Sequence, residues 1–205
     1  MRWASVFTAP FGFTEPLFVP SYWNPPSLFG LAQKTGFDIE SLIFCFAIGG
    51  IATVFYNPLT GRSLTAAAPE EKKRPLHLIH AIALLSPFAV FLTLFLFPWN
   101  PIYPGIAAMV VGGVATASCR PDLMMKLWTG GVLFLALYVV FLLGLRWIWP
   151  GYIESVWNLK ALTGVLLFGM PLEELFFGFG FGLYWSGVYE HVAWKYAVPV
   201  KRVEV

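Results

Sequence analysis

Glu173 and Glu174 stand side by side just after Pro171, within a stretch from Ala161 to Tyr189 that holds no other charged residue. An ionisable side chain at the centre of an apolar span costs about 3 kcal/mol on insertion scales, so an adjacent pair marks a functional site unless it serves only as polar packing between helices. One acid and one amide would do that packing with less charge to bury. Two neighbouring carboxyls in a low dielectric do not both ionise readily, and a carboxylic acid beside a carboxylate is a Brønsted acid and a base in one place. That is the equipment needed to protonate an alkene and later to take a proton back.

Helical spacing sets Glu173 on one face with Phe177, Gly180 and Tyr184, and Glu174 on another with Gly178, Phe181 and Trp185. Aromatic faces stabilise a carbocation without capturing it as a nucleophile would, which makes Phe177, Phe181, Tyr184 and Trp185 candidate substrate-lining residues. Gly178, Gly180 and Gly182 remove bulk, either for close helix packing or for a slim apolar ligand. Pro171 is expected one turn into a span, loosening the helix where the acids begin.

These residues need a membrane scaffold. The 205-residue chain is 58% hydrophobic and only 12% charged, with a mean hydropathy of +0.71, whereas soluble domains carry about 25% charge. An all-α polytopic membrane bundle follows. A net charge of +2 gives no reason to expect a nucleic-acid partner. Cys45 and Cys119 both lie in apolar stretches, so no disulfide framework is expected. Ser5, Thr8 and Pro10 interrupt any signal-peptide core. Spans of about 20 residues are predicted at 37–56, 77–97, 102–119, 127–149 and 159–189, the last long enough to be kinked. These make five, and a sixth depends on residues 1–36. That segment is rich in proline and aromatic residues, which suits an interfacial or lid-like element. The expected organisation is therefore an N-terminal segment (1–36), an acid-bearing helix (37–57), a cytoplasmic loop (58–76), the main bundle (77–192) and a cytoplasmic tail (193–205). Arg62, Lys72, Lys73, Arg74, Arg120, Lys126, Lys195, Lys201 and Arg202 fall on one side of a five-span alternation and only Arg2, Lys34, Arg146 and Lys160 on the other. The positive-inside rule makes the first side cytoplasmic.

A degenerate internal repeat is visible. At an offset of 133 residues Glu40 aligns with Glu173, Leu42 with Leu175, Phe44 with Phe177, Phe46 with Phe179, Gly49 with Gly182 and Tyr56 with Tyr189. Both acid-bearing helices would run in the same direction, with their acids at similar depth.

Pro171-Leu-Glu-Glu, followed by Leu-Phe-Phe and by Gly182-Leu-Tyr-Trp-Ser-Gly-Val-Tyr-Glu, resembles the PxE(E/D) helix of the lycopene cyclase domain family, the small integral-membrane type of carotenoid cyclase. The likeness runs over about residues 124–191 and, through the repeat, over 37–57. It implies redox-neutral cyclisation of the acyclic end of a polyene by an isomerase or intramolecular lyase of the bacterial or archaeal cytoplasmic membrane. It assigns the motif to Pro171, Glu173 and Glu174, with Glu40 as the matching acid of the first copy, where Asp38 and Ser41 replace the proline and the second acid. The implied partners are a hydrophobic polyene, membrane lipid, and a second cyclase subunit or a second copy of the chain.

No cofactor is expected. Gly178-Phe-Gly-Phe-Gly follows no strand and is not a dinucleotide fingerprint. No metal site is expected either: His77, His80 and His191 sit near span ends and read as interfacial residues that reach for water. A proton-coupled transporter is the main rival reading, opposed by the scarcity of polar residues elsewhere in the spans. A noncatalytic assembly subunit, which would tolerate loss of the acids, is another.

Overall fold

The computed structural model describes residues 2–70, 72 and 74–199; Lys73, Lys201 and Arg202, and the tail from residue 200, lie outside the described residues. The chain is mostly helical. Helix α1 (Arg2–Thr8) continues into a 3-10 stretch, Ala9–Leu17, which accommodates Pro10 and Pro16 where an α-helix would not. After α2 (Leu31–Thr35), the Asp38 carboxylate caps α3 (Ile39–Val54) by accepting the Ser41 N–H at 2.6 Å. There follow α4 (Tyr56–Leu59), strand β1 (Arg62–Ala66), α5 (His80–Phe95), α6 (Ile102–Cys119), α7 (Met124–Ile148) and α8 (Tyr152–Val156). A small hairpin, β2 (Leu166–Leu167) and β3 (Met170–Pro171), leads into α9 (Leu172–Ala193) and strand β4 (Lys195–Pro199).

Among the described residues, four helical stretches are long and apolar enough to cross a membrane: Ile39–Leu59, Pro75–Phe95, Ile102–Cys119 and Pro121–Ile148. Their outward residues are large and apolar, including Leu78, Ile82, Leu85 and Leu92 on α5 and its lead-in, and Val132, Val140 and Phe141 on α7. Water would not tolerate such stripes, but hydrocarbon does. Helix α9 is enclosed by α7, α6 and α3, while α5 packs chiefly on α6 at the periphery. The α7–α9 contact is set by glycine: a Cβ on Gly182 would lie 2.6 Å from the Gly130 carbonyl and from Phe134 Cβ, and one on Gly178 would lie 2.9 Å from the Tyr138 ring. Gly178 and Gly182 are therefore close-packing positions rather than the floor of an open groove.

Four expectations change. Residues 159–189 do not form one long span. Gly164, Phe168 and Gly169 take positive φ, the chain turns through the β2–β3 hairpin, and the helix begins only at Leu172. Pro171 is accordingly the N-cap of α9 rather than a kink one turn inside it, a position where its missing N–H costs nothing. Short strands join an otherwise helical chain: β1 pairs antiparallel with β4, Arg62 opposite Pro199 and Ala66 opposite Lys195. The N-terminal helix also reverses the place of Arg2. A Cβ on Gly49 would collide with Thr8 and one on Gly12 would meet Leu42 and Ser41, while Gly36 packs on Pro16. Residues 2–17 thus run antiparallel to α3, and Arg2 points toward the β1 end.

Candidate functional site

Glu173 and Glu174 occupy the first turn of α9, and each is only 2% exposed. Glu174 is surrounded by donors from three other segments. Tyr22 donates its hydroxyl to Oε1, Trp157 donates its indole N–H to the same oxygen at 2.7 Å, and the Tyr138 hydroxyl reaches Oε2 at 2.5 Å. Tyr22 belongs to the turn after the 3-10 stretch, Tyr138 to α7 and Trp157 to the end of α8. Their placement follows from backbone bonding: Asn158 N–H donates to the Tyr22 carbonyl at 2.9 Å and Asn24 N–H to that of Val156 at 2.8 Å, clasping the two loops over the acid. A buried carboxyl needs such partners, and each hydrogen bond to a charged group is worth about 1.5–3 kcal/mol.

Glu173 is held differently. Its Oε1 accepts the Tyr103 hydroxyl at 2.9 Å and the Thr163 N–H at 2.8 Å, whereas its Oε2 is buried without a hydrogen-bond partner. One oxygen is fixed and the other is free to carry or release a proton.

Phe177, Phe181 and Trp185 continue the Glu173 row as a ladder of stacked rings, with centroids 6.0 and then 5.6 Å apart. Phe134 and Tyr138 flank it from α7 at 4.9 Å from Phe181 and 5.8 Å from Phe177. Tyr184 is buried and meets Trp185 edge-on at 5.6 Å. The four aromatic candidates are thus gathered along one helix beneath the acids. Two cavities of about 280 and 420 Å³ lie beside this site rather than within it, lined by Asn24 and Gln33 together with Trp149 and Val156 or with Pro16 and Val19.

Residues 100–192 match the family model described as lycopene cyclase. The matched segment, a little under half of the chain, is similar to that family. It contains Tyr103, Tyr138, Trp157, Glu173 and Glu174, so every partner of the two acids except Tyr22 falls within the matched residues. No curated protein and no solved structure matches the chain.

Glu40 stands apart from the pair. It is exposed in the first turn of α3, and its Oε1 accepts the Leu28 N–H at 2.6 Å. It shares no hydrogen-bond partner with Glu173 or Glu174. The aromatic donors Tyr22, Tyr103, Tyr138 and Trp157 escaped the sequence reading. The available signal was the demand of two buried carboxyls for donors, met here by aromatic residues with polar tips.

The other end of α9 is also polar. Lys126, expected in a loop, is 2% exposed in the first turn of α7, where it pairs with the fully buried Glu190 and donates to the Thr53 carbonyl at 3.3 Å. Asn57 donates to the same Glu190 oxygen at 3.2 Å. Arg120, fully buried, forms a two-bond pair with Asp122 at 2.7 and 2.8 Å. The spans therefore hold more polar chemistry than their sequences suggest. Two of the histidines do not reach for water as expected: His191 is fully buried and His77 is 9% exposed, while His80 is half-buried. The start of α5 and the ends of α6 and α9 draw them together.

Proposed function

We propose that the chain is a carotenoid cyclase-like membrane enzyme, an isomerase or intramolecular lyase acting on the acyclic end of a hydrophobic polyene. The observation that carries this reading is the pair of buried carboxyls at the start of α9, one ringed by three donors and the other with an unpartnered oxygen. Protonation of a terminal alkene by Glu173 leaves a tertiary cation; attack by a neighbouring double bond closes a ring and moves the charge; loss of a ring proton to the pair restores neutrality. No electrons are gained or lost, and product and substrate have equal mass. The Phe177–Phe181–Trp185 ladder offers π-faces to the cation. The lipid-facing hairpin, with Phe168 78% exposed and joined to α9 through the Leu172 N–H to Val165 carbonyl bond, is the side from which a polyene would reach Glu173.

Five crossings complete the picture. Because β1 and β4 pair, an even number of crossings must separate them, and α5, α6 and α7 supply three, so α9 is the fourth. With α3 the total is five, and the basic β1–β4 end, including the tail, is cytoplasmic. The 133-residue repeat is supported by the helix starts, since Ile39 and Leu172 share that offset. A polyene, membrane lipid and either a second cyclase subunit or a second copy of the chain are the partners. The Lys126–Glu190 pair favours one rival, proton-coupled transport, by placing ionisable groups at both ends of α9. The close-packed glycines and rings between the two ends offer few steps for a proton.

Expression in a lycopene-accumulating host, with pigments separated by chromatography and weighed by mass spectrometry, tests the activity: a cyclised isomer of unchanged mass is expected. Unaltered lycopene from well-inserted protein, alone and with a partner cyclase subunit, would favour transport or assembly instead. Cysteine labelling at Ser63 and Ser155, both exposed, should report opposite membrane faces; labelling from one face would overturn the five-span arrangement.

A further inference from the structure

All three histidines of the chain and one of its two cysteines converge at the β1–β4 end of the bundle, although they are far apart in sequence. His80 opens α5, Cys119 closes α6 and His191 lies in the last turn of α9. One donor atom from each lies within 4.8 Å of the other two. Cys119 Sγ is 3.7 Å from the Nδ1 of His80 and 3.7 Å from the Nδ1 of His77, which sits in the 3-10 turn before α5.

We infer that His80, Cys119 and His191 form a binding site for a zinc-type divalent transition cation, with His77 within reach as fourth donor. The spacing fits: Zn–S and Zn–N bonds of about 2.3 and about 2.0 Å at a tetrahedral angle hold the two donors about 3.5 Å apart. Imidazole and thiolate select zinc-like ions, and the lack of a carboxylate in the set argues against magnesium or calcium. The setting is that of a built ligand rather than an incidental cluster. Thr116 Oγ1, fully buried, lies 3.3 Å from His191 Nδ1 and can accept its proton. That bond leaves the Nε2 lone pair free, and this atom is buried with no partner. A buried acceptor without a donor is costly, and a cation removes the cost. The Trp194 ring covers the group, stacked on His80 with centroids 4.3 Å apart and edge-on to His77 at 5.0 Å. The neighbouring Arg120 does not confront the ion with a bare charge, since Asp122 takes up its guanidinium.

The site is separate from the acid pair. Glu174 and His191 lie about 26 Å apart along α9, close to the thickness of the hydrocarbon core. The ion would act as a clip that fastens α5, which otherwise packs chiefly on α6, to the ends of α6 and α9.

Cobalt alone is the probe. Tag-free, metal-stripped protein in detergent, titrated anaerobically with Co²⁺, should bind one equivalent with the intense visible bands of a tetrahedral ion and a thiolate-to-cobalt charge-transfer band. Zn²⁺ should bleach both and raise the thermal midpoint. Cys119→Ser should lose the charge-transfer band, and Thr116→Val, which keeps the volume, should weaken binding about tenfold. Folded wild-type protein giving only the pale spectrum of an octahedral ion would overturn the site, whatever the variants do. So would a charge-transfer band that survives in folded Cys119→Ser.

Discussion

Helices α3 and α9 begin alike and end up chemically different. Each starts 133 residues from the other on a residue that closes a loop, and each carries glutamate in its first turn. At α3 the buried acid is Asp38, committed to capping the Ser41 N–H, while Glu40 is exposed on the Leu28 N–H. A third acid, Glu15, lies against that start, and burial pushes its carboxyl up to about 7. At α9 the cap is proline, which uses no carboxyl, and both glutamates are buried under Tyr22, Tyr103, Tyr138 and Trp157. A helix start can place an acid at a given depth, but only other segments can surround it with donors and exclude water. Glu173 and Glu174 have that cover at α9, whereas Glu40 at α3 does not.

The largest effect that would sharpen this contrast is loss of the ionisable protons. Glu173→Gln and Glu174→Gln keep volume and one carbonyl oxygen, and each should lower polyene conversion by about 10² to 10⁴. Membrane insertion and expression, followed on immunoblots, should hold. Conversion by both variants at the wild-type rate would leave the acids as packing groups and erase the difference between the two helix starts.

The donors come next. Tyr138→Phe removes the hydroxyl that meets Glu174 Oε2 and leaves that oxygen short of a partner. A cost of about 1–3 kcal/mol for the unsatisfied group corresponds to a fall in rate of about five- to 150-fold, read as turnover per folded molecule. Tyr103→Phe on the Glu173 side should act in the same direction. Full activity in both would show that the cover matters only for exclusion of water.

How far the sequence could carry this comparison depends on where the information lies. Four spans were legible because about 20 apolar residues leave little alternative in a bilayer, and the acid pair was legible because charge is rare there. The start of α9 was not, since Val165–Pro171 is as apolar as a span and only the positive φ at Gly164, Phe168 and Gly169 reveals the hairpin. Tyr22 and Trp157 were hidden because they reach Glu174 through a loop-to-loop clasp that no local pattern records. Lys126 looked like an ordinary span-end charge until α7 and α9 were brought to glycine contact and set it against Glu190.

A smaller effect belongs to α3. Asp38→Ala removes an N-cap bond and should cost about 1 kcal/mol of stability, seen as a lower midpoint in thermal unfolding in detergent. The activity of the folded fraction should be unchanged. A drop in turnover as deep as that of Glu173→Gln would instead make the α3 start part of the reaction.

Glu40→Gln should have the smallest effect of all, and it is the sharpest test of the contrast. The alignment with Glu173 makes Glu40 the natural second carboxyl, yet its oxygen is 2.6 Å from the Leu28 N–H, and the residue is exposed. Glutamine retains an oxygen for that N–H, so the loop should stay in place. Exposed substitutions away from special features change stability by about 0.5 kcal/mol or less. Conversion should therefore remain within about twofold of wild type, since no proton at position 40 is shielded from water as those at 173 and 174 are. A collapse of conversion with intact folding would mean that α3 moves to bring Glu40 under cover during the reaction, and that the two helix starts form one site after all.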